Sequence, residues 1–214
     1  MIRISLAGAA AAIACLAAGP AAAVVVDLST LVQWKVSEGG NGHYYALTNA
    51  RSTWTDSYAA ATAAGGDLAS IASAAENSFI GAAFGFDRTL DTVYWLGLRR
   101  TAAGGPFSWT DGSALTYTNF HPGEPNNANG IENYVATNWY AANSPNSAFG
   151  TWNDTPNTGV AFGVPTPQPY RGVVEFTFDP RAAVVPEPAT WALMIAGFGM
   201  AGGLLRRRAG AAFA

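Results

Sequence analysis

Thiol and charge are what this chain has least of. A single cysteine, Cys15, occurs in 214 residues, and charged side chains make up 12%. Cys15 falls within the leader described below, so the remainder has no thiol and neither disulfide staples nor cysteine metal centres are open to it. Two histidines without a thiol do not make a zinc site. Basic residues are scarce as well: between positions 24 and 185 seven stand against thirteen acidic ones, a net charge of −6. That balance excludes a nucleic-acid surface, which needs cations against phosphate, and it suits binding a cation. What is plentiful is apolar side chain (50%), glycine (24), proline (12) and tryptophan (7). Such a composition fits one loop-rich domain with a real core.

Both ends read as addresses. Residues 1–23, MIRISLAGAAAAIACLAAGPAAA, set Arg3 before an apolar run and an A-x-A pattern at Ala21 to Ala23, as a secretory signal peptide does. A lipid anchor on Cys15 is disfavoured by Ala12, three residues earlier, where leucine is usual. At the other end Pro186, Glu187 and Pro188 precede an apolar run over 189–205, and Arg206, Arg207 and Arg208 follow it. The run is at the lower length limit for a transmembrane helix in a bilayer of about 30 Å. The arginines put the tail, 206–214, on the cytoplasmic side and the domain before the run outside. This order closely resembles the PEP-CTERM sorting signal of Gram-negative bacteria. The resemblance implies an exosortase as processing partner and a transient anchor in the inner membrane. It also implies a final place in the cell envelope or outside the cell, in company with exopolysaccharide. Residues 181–188 read as a linker, which leaves 24–180 as the domain.

Within it, the short aromatic alternation HYYALT (43–48) predicts a strand. The alanines from Ala59 to Ala64 predict a helix capped by Ser52 or Thr53 and stopped by Gly65 and Gly66. A second helix begins at Ser73, with Glu76 completing a capping box and Phe79, Ile80 and Phe84 on one face. Strands are expected at 93–100, at 107–112 before an Asp-Gly turn, at 132–139 and at 170–178. Residues 143–170 read mainly as loop.

One stretch stands apart in so apolar a chain. GEPNNANGIENY, residues 123–134, gathers Glu124, Asn126, Asn127, Asn129, Glu132 and Asn133 around Pro125. It is too polar and too rich in turn formers for strand or helix. With YWLGL before it, then SWTDG and YTNFHPGEPNN, then ENYV, TWNDT and a closing GVVEF, the order of motifs resembles the C-type lectin-like domain from about His43 to Phe178. The resemblance implies an α+β fold with two helices, a mixed, largely antiparallel set of strands and a long calcium-binding loop region.

It also implies a site. Glu124 and Asn126 match the family's E-P-N, Glu132 its third ligand, and Asn153 and Asp154 its W-N-D, all as ligands of Ca2+. Calcium takes six to eight hard oxygens, and three carboxylates with two amide carbonyls are that kind of set. In the family a cis peptide precedes the proline, here Pro125. Two neighbouring sugar hydroxyls complete the calcium shell there, so the same five residues are the sugar-binding set. The order Glu-Pro-Asn goes with mannose, glucose, fucose or N-acetylglucosamine in the family, and galactose is disfavoured.

The family's four cysteines are absent: Ala61 and Val174 stand for one pair, Tyr134 and Asn157 for the other. The first replacement can pack as core, whereas the second leaves the loop carrying Asn153 and Asp154 untied, with looser calcium binding expected. Asn127 and Asn133 stand where an acidic residue would serve a second calcium, which speaks against one. Trp95 and Trp109 are expected in the core, His121 solvated beside the loop, and His43 without a chemical role. The function expected is a secreted, calcium-dependent carbohydrate-binding protein. A structural or protein-interaction envelope component of the same fold is the alternative. A glycosidase using Glu124 and Glu132 as acid and base is disfavoured, because both carboxylates serve better as metal ligands.

Overall fold

The computed structural model describes residues 23–144, 146–161, 163–182, 194–198 and 200. The expected leader up to residue 22, Pro186 to Pro188, most of the 189–205 run and the 206–214 tail lie outside the described residues. The chain divides into two units, Met1–Thr177 and Phe178–Ala214.

The first unit runs β1 (Val26–Gln33), β2 (Tyr44–Thr48), α1 (Trp54–Ala63), β3 (Asp67–Leu68), α2 (Ala74–Phe84), β4 (Tyr94–Arg99), β5 (Ser108–Trp109), β6 (Tyr134–Thr137), α3 (Trp139–Asn143), β7 (Trp152–Thr155) and β8 (Arg171–Phe176). The sheet order is β1-β2-β8-β4-β6-β7, with β3 added to β8 and β5 to β4. All pairings are antiparallel except β4 with β8. The last strand therefore lies between an early one and a middle one, and this closes the domain on itself. Helices and strands coexist as the α+β expectation required.

Local signals explain the helices. Thr53, not Ser52, caps α1, its hydroxyl accepting from Asp56 N at 3.1 Å. Ser73 caps α2 in the same way through Glu76 N. The expected capping box is altered: Glu76 Oε2 accepts from Ala72 N at 2.8 Å instead of from Ser73, because Oε1 is drawn inward by Tyr45 Oη at 2.5 Å. The expected strand at 132–139 is shorter and gives way to α3. Asn138, at φ 64°, turns the chain, and its fully buried amide bonds Thr92 O and Gly150 N. β1 was not anticipated, since Asp27 accepts from Ser29 N and breaks the register between Asp27 and Val32, hiding any alternation.

The core forms around Trp54, Trp95 and Trp152, whose ring N–H groups are each spent inside. Trp54 donates to Leu96 O at 2.8 Å, Trp95 to Ser52 O at 2.9 Å and Trp152 to Asn77 Oδ1 at 2.9 Å. Trp95 and Trp109 are buried as expected. The glycine of YWLGL has a steric reason: a Cβ on Gly97 would lie 2.3 Å from Leu68 O, so β3 could not approach β4.

In the second unit Arg181 pairs with Asp179 at 3.0 Å, and residues 194–198 are helical. Among the described residues no helix is long and apolar enough to cross a membrane.

Candidate functional site

The polar loop is built on β6 and β7. His121 N donates to Trp152 O and Glu124 N to His121 O, both at 2.9 Å, which ties the start of the loop to β7. The Glu124–Pro125 peptide is cis, as the resemblance implied. Asn127 and Asn129 take left-handed φ of 50° and 57°, conformations asparagine tolerates better than most residues. Asp154 gathers the backbone, its carboxylate accepting from Asn126 N and Asn127 N, each at 3.0 Å. Ala128 N donates to Glu132 Oε2 at 2.7 Å and to Asn126 Oδ1 at 2.8 Å.

Four of the five expected ligands, Glu124, Asn126, Glu132 and Asn153, line one cavity of about 240 Å³. Asn153 is buried there, and its side-chain amide has no hydrogen-bond partner among the described residues. Successive side chains of a strand point to opposite faces, and Asp154 does not line the cavity. It meets Arg100 instead, whose guanidinium donates to Asp154 Oδ2 and, through Nε, to Glu132 O at 2.8 Å.

Three carboxylates are thus crowded in a partly dry place. Burial pushes the Glu124 carboxyl up, with Asp154 adding to it. Burial also pushes Glu132 up to about 7, and the neighbouring Asp154 and Glu124 charges reinforce the shift. A cation would relieve both causes. The donor set suits a hard cation in kind, and the unpartnered Asn153 amide and the shared cavity suit one in place. In this conformation, however, the carboxylates are spent on Arg100, backbone amides and Tyr140. Among the described residues no three His, Cys, Asp or Glu side chains are gathered to hold a metal.

Two contributors were not read from the sequence. Tyr140, on α3, donates its hydroxyl to Glu124 Oε1 and stacks on His121, with ring centres 3.6 Å apart. His121 is therefore packed and not merely solvated. Arg100 is the other, in a run of two arginines that looks like a strand end. Neither has a local signal, because α3 follows from Asn138 and the reach of Arg100 from strand pairing. His43 also has a partner, Glu175 Oε1 at 2.6 Å from Nδ1.

With this geometry in hand, the comparisons are consistent. The Lectin C-type domain model matches residues 50–161, over half of the chain. The chain belongs to the C-type lectin domain family. A PEP-CTERM protein-sorting motif matches residues 184–208. C-type mannose receptor 2 of Homo sapiens is 36% identical over 115 residues, 54% of this chain but 7% of the receptor. An alpha-N-acetylgalactosamine-specific lectin of Patiria pectinifera is 46% identical over 63 residues, 29% of this chain and 38% of that lectin. The chain therefore spans a small part of these relatives. Among solved structures, the C-type lectin CEL-I from Cucumaria echinata superposes with a TM-score of 0.51 at 27% identity, covering 64% of this chain and 91% of CEL-I. Human lithostathine, at 22% identity and a TM-score of 0.50, shares the fold.

Within this C-type lectin domain the missing bridges have different replacements. Ala61 and Val174 are fully buried in one core cluster, as expected. The loop carrying Asn153 and Asp154 is not untied, contrary to expectation. Trp54 N donates to Asn157 O at 2.9 Å and Thr55 N to Asn157 Oδ1 at 3.0 Å, so Asn157 holds the N-terminal amides of α1. Tyr134 packs on Trp54 with ring centres 4.7 Å apart. Both positions of the second lost pair thus dock on the start of α1.

Proposed function

We propose that this is an exported, calcium-dependent carbohydrate-binding protein whose site is Glu124, Asn126, Glu132, Asn153 and Asp154. The observation that carries it is one cavity lined by four of these residues, with Asp154 bonded to the Asn126 and Asn127 amides behind it. Bound calcium would supply a Lewis-acidic centre with open positions for two vicinal sugar hydroxyls. The carboxylates would accept hydrogen bonds from the sugar hydroxyls, and the Asn126 and Asn153 amide nitrogens would donate to the hydroxyl oxygens. The names of the relatives divide between mannose and N-acetylgalactosamine. The Glu-Pro-Asn order supports mannose-type sugars, and the sorting motif supports export, exosortase processing and association with exopolysaccharide. Nothing in this chemistry calls for catalysis.

A second reading is favoured by Arg100. Its guanidinium already neutralises Asp154, so the fold can serve as an envelope component without calcium or sugar. Calorimetric titration of the purified chain with calcium separates the two. Asn153→Ala is the control, since that side chain supports no hydrogen bond and its loss should spare the fold. Saturable heat lost in Asn153→Ala supports the lectin; no heat up to millimolar calcium in folded protein supports the envelope component.

A further inference from the structure

Of the seven basic side chains between positions 24 and 185, five meet a carboxylate: Lys35, Arg51, Arg100, Arg171 and Arg181. Arg99 is half-buried against the Trp54 and Tyr58 rings. Arg88 is exposed and has no ion pair among the described residues. Its Nη1 donates only to carbonyls, Ser144 O at 3.5 Å and Ser147 O at 3.3 Å, and among the described residues Nε and Nη2 have no acceptor. Asp87 beside it is turned away, its carboxylate accepting from Thr89 N and Thr92 Oγ1. The guanidinium lies over Phe149, 4.8 Å from the ring centre, and that residue is itself 48% exposed. A solvent-facing cation fixed on a solvent-facing ring stands out where the net charge is −6.

Phe149 also lines a pocket of about 280 Å³, together with Asn77, Ser78, Gly81, Phe86 and Gly150. Phe86 is held there by stacking on Tyr94, ring centres 6.0 Å apart. Asn77 is buried. Its Oδ1 accepts from Trp152 Nε1, and one Nδ2 hydrogen goes to Gly150 O at 3.2 Å. The other has no acceptor among the described residues. Two aromatic walls, one spare amide donor and an unpaired guanidinium therefore meet in one place, on α2 and the segment before β7.

We propose that this pocket and the Arg88–Phe149 pair beside it form a second saccharide site, independent of calcium, for a carboxylate-bearing sugar residue (a uronate). Nε and Nη2 of one guanidinium are the fork that takes a carboxylate through two parallel bonds. The C–H face of a sugar ring packs on an aromatic face, and the spare Asn77 hydrogen suits a ring hydroxyl. The site is open, so hydroxyls on the outer side of the ring keep their water. Its volume lies just under the usual range for drug-sized pockets and fits one sugar residue. Ser147 Oγ lies 3.4 Å from His121 Nε2, so the loop that holds Arg88 also touches the start of the polar loop. A polymer engaged at both places gains by avidity.

The test measures binding of the purified chain, in chelator, to immobilised glucuronate oligomers, with glucose oligomers of equal length and poly-glutamate as comparisons. Glucuronate oligomers should bind about tenfold more tightly than glucose oligomers, as expected for a hydrogen bond to a charged group, and more tightly than poly-glutamate. Arg88→Gln should remove that advantage. Phe149→Leu is the second variant should Arg88→Gln lower the melting temperature, and it should weaken glucuronate binding about threefold, as expected for an exposed contact between cation and ring. Equal binding of glucuronate and glucose oligomers, or an advantage that survives both variants, overturns the site. Poly-glutamate bound as tightly as glucuronate shows attraction to any polyanion and overturns the saccharide assignment. Inhibition by benzoate as strong as by free glucuronate shows a pocket for aromatic acids and overturns it too. Everything is read without calcium, so failure here leaves the polar-loop site standing.

Discussion

Arg100 and Asp154 form an ion pair withdrawn from water, their side chains 5% and 0% exposed. The same guanidinium holds Glu132 O and lies 4.3 Å from the centre of the Phe107 ring. One side chain just past the end of β4 thus braces both Asp154 on β7 and the Glu132 end of the polar loop, from behind the cavity. A buried pair of this kind costs much to break from one side, because the partner is left as an uncompensated charge.

Arg100→Met should therefore destabilise the calcium-free protein by about 3–5 kcal/mol. If the five-residue set takes calcium, the ion neutralises Asp154 in its place, and the loss in calcium is smaller. Thermal melts of both proteins in chelator and in calcium check this. An equal loss in the two conditions would show that Arg100 is a packing element with no link to the ion.

Asn157→Ala should weaken the start of α1, where its carbonyls accept from Trp54 N and Thr55 N. The side-chain part resembles a lost helix cap, about 1 kcal/mol, or a melting temperature roughly 2–4 °C lower for a domain of this size. An unchanged melt would mean that the loop after β7 is held by other contacts.

Exchanging the site residues as Glu124→Gln with Asn126→Asp should move preference from mannose-type sugars toward galactose. The exchange is tolerable in place: Asn126 Nδ2 now donates to Glu124 Oε1 at 2.8 Å, and the swapped pair can bond with donor and acceptor reversed. A glycan profile that does not move, in a folded double variant, counts against the lectin reading.

Stability should depend on pH through Glu175. Burial holds its carboxyl above the ordinary value, against the opposing help of His43 and the Ser70 amide, while Glu76 adds to the rise. Tyr45 Oη also faces it, at 3.1 Å. The native state then keeps a proton that the unfolded chain has released. The contribution is full below the ordinary glutamate value of 4.5 and is lost as pH rises through the raised native value. Urea midpoints should fall over that interval, and Glu175→Gln should flatten the fall. A midpoint rising across it in the native protein would sink the assignment.

Much of this molecule was legible before any coordinates. The two capped helices show because Thr53 and Ser73 act on amides three residues away. The Glu-Pro-Asn and Trp-Asn-Asp groups show because ligand chemistry is written in residue type and spacing. The strand expected over 132–139 ends at Thr137 and α3 follows with no local signal, since a single left-handed Asn138 redirects the chain and its reason lies at Thr92 and Gly150. The second missing disulfide was misread as a loose end, since Asn157 finds α1 102 residues away, at Thr55.

By itself, then, the sequence determined the family, the sorting motif and the identity of the candidate ligands, because each depends on side-chain chemistry in a local order. Tertiary structure alone decided that Arg100 braces Asp154, that Tyr140 reaches Glu124, and that Trp139, Val160 and Ala161 line the same cavity as the polar set. Those contacts join β4 to β7, α3 to the polar loop, and α3 to the 160–161 segment. Strand pairing and burial bring these segments together, and neither leaves a periodic trace in the chain.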